Sequence, residues 1–319
     1  MRTDVLVAGA GPAGSTVARL LALGGRRVVL VDPLCWPLKR LEILAPALYP
    51  VLDALNLRGI LEEPSLACHC LGIRRRWGTR EVQIDDFLSH PGGRGLVIER
   101  SLFDKALLQE ASNAGTQFIK GRVTGLRKEG RTILLNIQQG KSSSVVHAHL
   151  IVDATGRPSA LARRLGARRI FSERLVAERF ASTNPQPKKA KAVWLEVAAE
   201  KTGWSYSVSG PDGRGECWRI HRIGDRTADS YLERVDASSV CLSPAGGEGW
   251  IAVGDAVASF DPITSQGLFN ALSTSLVTAR VILSSGESES EKFDAYSAAV
   301  AATFAYSEVG RKEIYQSFV

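Results

Sequence analysis

Asp4-Val5-Leu6-Val7-Ala8-Gly9-Ala10-Gly11-Pro12-Ala13-Gly14 lies at the head of the chain, and Asp32 closes the unit it begins. The apolar run Val5 to Ala8 reads as a buried strand. A helix is expected from about Ala13 to Leu23, with Ala18, Leu21 and Ala22 on its inner face and Gly24-Gly25 as its stop. A second strand, Arg27 to Val31, follows. Gly9, Gly11 and Gly14 satisfy Gly-x-Gly-x-x-Gly. In such a unit the first glycine permits the tight turn, the second lets a pyrophosphate approach the backbone, and the third lets helix and strand pack closely. The helix N-terminus favours phosphate charge, and Asp32 can accept hydrogen bonds from an adenosine ribose. A lone glycine pattern is weak; a complete strand–loop–helix–strand unit around it points to a dinucleotide. It does not choose between FAD and NAD(P).

The chain has 319 residues, 45% hydrophobic and 23% charged, which suits two intertwined lobes of an ordinary globular protein. Met1-Arg2-Thr3-Asp4 leads straight into a strand, so no secretory leader is expected and the expected location is cytoplasmic. No apolar run approaches the ~18 residues of a membrane span. Five cysteines, Cys35, Cys68, Cys70, Cys217 and Cys241, suit reduced thiols. Cys68-His69-Cys70 lacks metal-site spacing and a second ligand pair, so no metal is expected. The net charge of +7 sits in small groups, Arg74-Arg75-Arg76, Arg163-Arg164 and Arg168-Arg169, without interleaved aromatics. That suits an anionic cofactor or an acidic partner, not a nucleic-acid groove.

After Asp32, Pro33 and Pro37 mark a loop. Lys39 to Pro46 opens a helical pattern that runs to Leu57 through Leu48, Val51, Leu52 and Leu55. Arg40 and Glu42 at its start either face a cofactor or form a solvated helix end. Leu71 to Ile84 reads as strand, turn, strand. Leu96 to Glu99 is a strand that delivers Arg100, with Ser101 as N-cap of a helix from Leu102 to Ala114 and Gly115 as its stop. Thr116 to Ile119 is a further strand. Arg122 to Leu126, Thr132 to Gln138 and Val145 to Val152 form an antiparallel meander, ending at Asp153-Ala154-Thr155-Gly156-Arg157. His147 and His149 read as structural. Phe171 to Ile223 is a second, mostly β region with Asn184 to Lys189 as a loop. Its Trp194, Trp204, Tyr206 and Trp218 either face a substrate or pack. Gly249 to Ala256 returns to the first sheet. Asp261 to Gly267 is a loop into a helix from Leu268 to Leu283, and Ser290 to Tyr315 is a closing helix.

These segments, in order, resemble the FAD-dependent monooxygenase superfamily that includes para-hydroxybenzoate-hydroxylase-like enzymes, flavin halogenases and geranylgeranyl reductases. The matching segments are the glycine loop with Asp32; Arg100-x-x-Phe103-Asp104-x-x-Leu107-Leu108; Val123 after Gly121; Asp153 to Arg157; and Gly254-Asp255-Ala256 with Asp261-Pro262 and Gly267. The resemblance implies an α/β fold. A Rossmann-like FAD-binding domain of GR2 type (1–65, 95–170 and 245–285) would interleave with a smaller, mostly β, substrate-facing domain (66–94 and 171–244) and a C-terminal helix (286–319). It implies FAD contacts from Gly9, Gly11, Pro12, Ala13, Gly14, Asp32, Arg40, Arg100, Val123, Asp153, Gly156, Gly254, Asp255, Pro262, Gly267 and Leu268. Val123 would lie by the adenine, Asp153 and Gly156 near the pyrophosphate, and Asp255 on the ribityl chain. The helix from Leu268 would point its positive end at the flavin.

Gly72-Ile73, Trp77-Gly78, Pro91-Gly92, Leu195-Glu196-Val197 and Gly203-Trp204-x-Tyr206 resemble a subgroup that matures quinone cofactors of bacterial amine dehydrogenases and oxidases. Its members are implied to oxygenate tryptophan in a partner polypeptide. The implied activity is hydroxylation of an electron-rich aromatic, small molecule or polypeptide, through a flavin C4a-hydroperoxide, with NAD(P)H or a reductase as donor and molecular oxygen as co-substrate. Asp261, Glu42 and Glu196 are the carboxylates available to orient a substrate or move a proton; Trp204 and Tyr206 would face the substrate. Alkene reduction, halogenation and a non-catalytic flavin-binding maturation role are the alternatives. Halogenases resembling this chain carry a lysine before an x-Gly-Ile step, where this chain has Cys70. The stretch between Ile170 and Gly249 reads as shorter than in most relatives, implying a pared-down substrate lobe.

Overall fold

In a computed structural model of the chain, described for residues 1–34, 40–63, 66–78, 81–181, 192–210, 212–225, 230–286 and 288–316, the opening unit is formed as read. Strand Arg2–Ala8 runs into helix α1 (Pro12–Leu23) and strand Val28–Asp32. Arg2–Ala8 is central because it is apolar on both faces: Val5, Leu6, Val7 and Ala8 are all buried. It pairs in parallel with Val28–Asp32 on one side and Ser142–Asp153 on the other. Gln117–Lys120 extends the sheet beyond Val28–Asp32, and Trp250–Ala252 extends it beyond Ser142–Asp153, again in parallel. The expected meander, Arg122–Glu129, Thr132–Gln139 and Ser142–Asp153, hangs from the same sheet.

A nine-stranded sheet forms the second layer. Its long strands are Leu175–Ala181, Gly215–Arg222, Gly203–Ser209, Ala192–Glu200 and Ala67–Arg76, side by side in that order. Two short strands complete it at one end, Gly95–Glu99 and Leu41–Leu44. The last of these corrects the sequence expectation of a helix from Lys39. Leu41–Leu44 pairs antiparallel with Gly95–Glu99, and helix begins only at Pro46, as the 3-10 turn Pro46–Leu48 followed by α2 (Tyr49–Ala54). Proline disfavours helix at the residue before it, so Ala45 stays extended. A second correction concerns Ser101. The strand passes directly into helix α3 (Arg100–Asn113), so Ser101 lies inside the first turn and donates to Glu99 Oε1 at 2.5 Å instead of capping. The Asn184–Lys189 loop and Pro37 lie outside the described residues.

Helices α4 (Gly267–Leu283) and α5 (Glu289–Gln316) follow the last strands. No helix among the described residues is long and apolar enough to cross a membrane. Leu44, Leu52, Leu55, Ile98, Phe103, Leu107, Leu268 and Leu272 form one buried cluster drawn from strands of the second sheet and from α2, α3 and α4. Burying each such side chain is worth about 1.5–3 kcal/mol, so this cluster joins the helices of the first layer to the end of the second.

Close backbone contact sets the geometry of the opening turn. A Cβ on Gly9 (φ +107°) would stand 2.1 Å from the Ala154 carbonyl oxygen, and one on Gly14 would stand 1.8 Å from the Gly9 carbonyl oxygen. Gly14→Ala must therefore push α1 off the sheet. A loss of about 1–3 kcal/mol is expected in chemical denaturation, against less than about 0.5 kcal/mol for Gly59→Ala, where a Cβ meets no atom within 4 Å. Equal stability of the two variants would contradict this account.

Candidate active site

Three loops meet at the start of α1. The 153–157 loop lies against Gly9 and Gly14 through Ala154. The 3-10 turn Gly254–Ala256 lies against Ala13, where a Cβ on Gly254 (φ +62°) would come within 2.5 Å of the Ala13 Cβ. Helix α4 is tied to α1 because Ser275 Oγ donates to the Ala13 carbonyl at 2.9 Å. Gly11 behaves differently from its two neighbours. A Cβ there would meet no protein atom within 4 Å, and Gly11 starts α1 with no side-chain cap. The open face and uncapped amides form a cradle for an anion. Helix α4 also begins without a side-chain cap, and its first residue, Gly267, faces Glu42: a Cβ there would lie 3.6 Å from Oε1.

A charged row extends from this cradle. Arg100 chelates Asp104 through Nε and Nη2 at 3.0 and 3.1 Å and reaches Glu42 Oε2 through Nη1 at 2.5 Å. Burial works against the Arg100 charge, but the two carboxylates outweigh it and raise its pKa. Burial moves the Asp104 carboxyl up, against the pull of Arg100. Asp255 lines the same cleft with 37% of its side chain still reached by solvent, 3.6 Å from Arg157 Nε. Desolvation pushes its carboxyl up and Arg157 opposes the shift. Arg157 is anchored by donating to the carbonyls of Ser238 and Phe260 at 2.7 and 3.1 Å.

Tyr206 stands in the second sheet, on the face that packs against Leu41, Val208 and Ile43. Its phenol pKa is raised by burial and then by the charges of Glu42 and Glu216. The ring stacks on Trp218, with centroids 6.4 Å apart and planes 15° apart, and lies 5.8 Å from Trp204. Trp204 is 3% exposed, and its indole N–H donates to the Tyr315 hydroxyl at 2.9 Å. That hydroxyl donates in turn to Asp261 Oδ2 at 2.8 Å.

The structure thus brings together Gly9, Gly11, Pro12, Ala13, Gly14, Gly156, Gly254, Asp255, Gly267, Arg100, Glu42 and Tyr206, and treats the other expected residues differently. Asp32 ends strand Val28–Asp32, with its carboxylate already accepting from the amides of Ala10 and Leu34 at 2.9 and 2.6 Å. Asp153 is fully buried and accepts from Thr155 N and Oγ1, Leu161 N and Ala162 N, so it shapes its loop from within. Asp261 is also buried. Its oxygens serve the Ile263 amide and Tyr315, which makes it a holder of the 261–267 loop and not a free base. Arg40 is paired with Glu233 and stacked on Trp218.

Glu196 lies apart from this group. Strand pairing sets Glu196 against Ser207 and Val197 against Tyr206. Alternation then places Glu196 on the face opposite Tyr206, half-exposed and paired with Arg74 at 3.3 Å. Trp204 is likewise a packing residue closed off by α5. The Leu268 side chain is buried in the Leu44–Phe103 cluster, leaving only its backbone for a ligand. Val123 is half-buried against the first core, and Gly121 bonds the end of strand Val28–Asp32. Pro262 opens the turn Pro262–Thr264. Arg157, Tyr315 and Asp104 are the contributors that sequence reasoning left out of the site. Arg157 and Asp104 stand in quoted motifs. Tyr315 gave no signal, because its partners are remote in sequence.

A family model described as "FAD binding domain" matches residues 2–229. The chain belongs to this FAD-binding family. It is 25% identical to a flavin-dependent halogenase of Armillaria mellea over 88% of this chain and 65% of that protein. It is 27% identical to a digeranylgeranylglycerophospholipid reductase of Methanosarcina acetivorans over 91% of this chain and 78% of that protein. The chain spans less than two thirds of the first curated relatives it matches, 65%, 44% and 58% of their lengths. Among solved structures, a peptidyl tryptophan dihydroxylase essential for tryptophylquinone cofactor biogenesis shares the fold with a TM-score of 0.81 and 20% identity, covering 99% of this chain and 76% of that one. The p-nitrophenol 4-monooxygenase of Pseudomonas putida does so with 0.74 and 16%, covering 99% and 93%. The superfamily resemblance read from the sequence therefore holds, and so does the α/β Rossmann-like fold.

FAD fits the residues present. The open face of Gly11 and the uncapped α1 suit a pyrophosphate, and the exposed Asp255 carboxylate suits sugar hydroxyls. Gly11→Val is expected to leave the fold stability of the apoprotein within about 0.5 kcal/mol, since the added atoms enter open space, yet to abolish FAD retention measured by absorbance after desalting. A yellow variant would refute the cradle. Tyr315→Phe strands both the Trp204 indole and the Asp261 carboxylate. A stability loss of about 1–3 kcal/mol with weaker FAD retention is expected by thermal melting and titration, and an unchanged melt would show that the bridge carries nothing.

Proposed function

We propose that the chain acts as a FAD-dependent monooxygenase that places one oxygen atom of O2 on an electron-rich aromatic ring, drawing electrons from NAD(P)H or a separate reductase. The observation that carries this reading is the Arg100–Glu42 pair held beside the first residue of α4, with the stacked rings of Trp204, Tyr206 and Trp218 in the sheet whose end carries Glu42. A ring bearing a hydroxyl or amine would be oriented by its polar substituent toward Glu42.

Bound FAD would supply the redox and oxygen chemistry. Gly11 and the α1 amides would hold its pyrophosphate, Asp32 its ribose and Asp255 its ribityl chain. The uncapped end of α4 would favour negative charge on the flavin. Arg100 orients Glu42, and Glu42 can accept a proton from a ring substituent as the ring is oxygenated. Trp204, Tyr315 and Asp261 hold the aromatic wall and the 261–267 loop in register. The division into FAD-binding segments (1–65, 95–170, 245–285), substrate segments (66–94, 171–244) and C-terminal helix (286–319) belongs to the same proposal.

Position 70 supports oxygenation over halide chemistry. Cys70 is fully buried there, with burial raising its thiol pKa, so no cation faces a substrate from that position. The shared fold with a dihydroxylase of peptidyl tryptophan supports a tryptophan within a polypeptide as one acceptable ring. Alkene reduction is the competing reading, supported by the similarity to the archaeal reductases.

The test is turnover under isotopically heavy O2, with FAD, NADH and a flavin reductase, offering phenols, indole and a tryptophan-containing peptide. One heavy oxygen atom per product molecule is the expected result. Oxygen consumption released only as hydrogen peroxide, or saturation of an isoprenoid alkene under anaerobic reducing conditions, would overturn it.

A further inference from the structure

The paired arginines Arg163-Arg164 and Arg168-Arg169 play no part in the cofactor cleft, yet the fold collects them on one surface. Arg163 and Arg164 occupy the 3-10 turn Ala162–Leu165. Gly166, in the left-handed region at φ +102°, reverses the chain, and Arg168 and Arg169 begin the edge strand Arg168–Glu173 of a three-stranded sheet. The result is an open surface depression of about 750 Å³ lined by Arg163, Arg164, Arg168 and Arg169 together with Pro158 and Phe171.

Its charge is not neutralised as that of the buried arginines is: Arg100 has Glu42 and Asp104, and Arg311 has Glu308 and Glu173. Here Arg169 pairs with Asp236 at 3.0 Å. Arg163 reaches only the Pro158 carbonyl, at 3.4 Å. Among the described residues no carboxylate lies within ion-pair distance of Arg163, Arg164 or Arg168. Like charges gathered in a concave, protein-walled space repel one another and focus a positive field outward. Folding gains nothing from that arrangement; an anionic visitor does.

We propose that this cleft docks an acidic segment of a protein partner. Guanidinium forks match carboxylates in bidentate geometry. The wide mouth and the extended edge strand suit a polypeptide laid across it. A nucleic acid fits less well, because the one aromatic ring of the cleft, Phe171, is already stacked by Arg169 and Arg174 at 4.7 and 4.3 Å and offers no free platform for a base. Pro158 follows directly on the Gly156-Arg157 loop, so a docked partner sits beside the cofactor cleft. The docking site stands apart from the aromatic-substrate reading and does not depend on it.

The experiment uses the full FAD-loaded chain and a fluorescein-labelled decaglutamate peptide, followed by anisotropy at low and high NaCl. Binding that weakens with salt is expected. The triple variant Arg163→Glu, Arg164→Glu, Arg168→Glu should lose affinity at least about tenfold, and a milder Arg→Gln triple at least about threefold. A control with the same charge change at exposed positions, Lys105→Glu, Arg131→Glu and Lys141→Glu, should lose less than about twofold. Retained flavin absorbance and melting temperature identify folded variants. Equal losses in site and control variants, no binding to the unaltered chain at low salt, or tighter binding of a single-stranded decanucleotide through the same arginines would each overturn the proposal.

Discussion

Everything around the cofactor cleft depends on how closely three backbones approach the first turn of α1. Ala154 can sit on Gly9, Gly9 on Gly14, and Gly254 on Ala13 only because no Cβ intervenes. That contact fixes where the 153–157 loop ends, and Asp153 holds the loop from within by accepting four hydrogen bonds. It also fixes the turn at Gly254, where Thr274 Oγ1 accepts from the Gly254 amide at 3.0 Å and binds the turn to α4. The start of α1, the cleft carboxylate Asp255 and the start of α4 therefore move as one body. Preorganisation of this kind is what an electrostatic site requires, because donors already in place cost no reorganisation when charge appears.

The second constraint is the placement of Glu42. It sits on a four-residue strand at the end of the larger sheet and is held by an arginine at the start of α3. The strand's own pairing to Gly95–Glu99 delivers both partners, since Glu42 lies in one strand and Arg100 follows the other. Packing beneath them, through Leu44, Ile98, Phe103 and Leu268, joins the short strands to α3 and α4. The ion pair is thus a product of core packing, and its partly buried charges are tolerated because each has a hydrogen-bonded counterpart.

Local signals in the sequence were strong where one segment carries its own structure. The glycine loop, the first helix, the meander and α4 are all periodic or punctuated runs, and each lies within a residue or a few of its expected bounds. Leu41–Leu44 was misread because Leu41, Leu44, Leu48 and Leu52 have helical spacing, and only a strand more than fifty residues away shows that the first two are extended. The face that Glu196 occupies depends on register with the neighbouring strand, which no single strand reveals. Asp261 sits in the expected loop, but its engagement by Tyr315 depends on a helix 54 residues further on. What the sequence withheld was long-range pairing, in each case.

Arg2–Ala8 is made before either of its neighbours, and it is sandwiched in the finished sheet. One neighbour, Val28–Asp32, follows at once, but the other is Ser142–Asp153, with Val5 opposite Leu150. At ribosomal speeds the strand waits roughly 7–30 s for that partner. Throughout, Val5 to Ala8 present an apolar, hydrogen-bond-ready edge on the nascent chain. The central position that makes this strand a rigid support for the cofactor turn also makes it the segment most in need of protection during synthesis. Its vulnerability lies in birth order, before any cleft exists to be damaged.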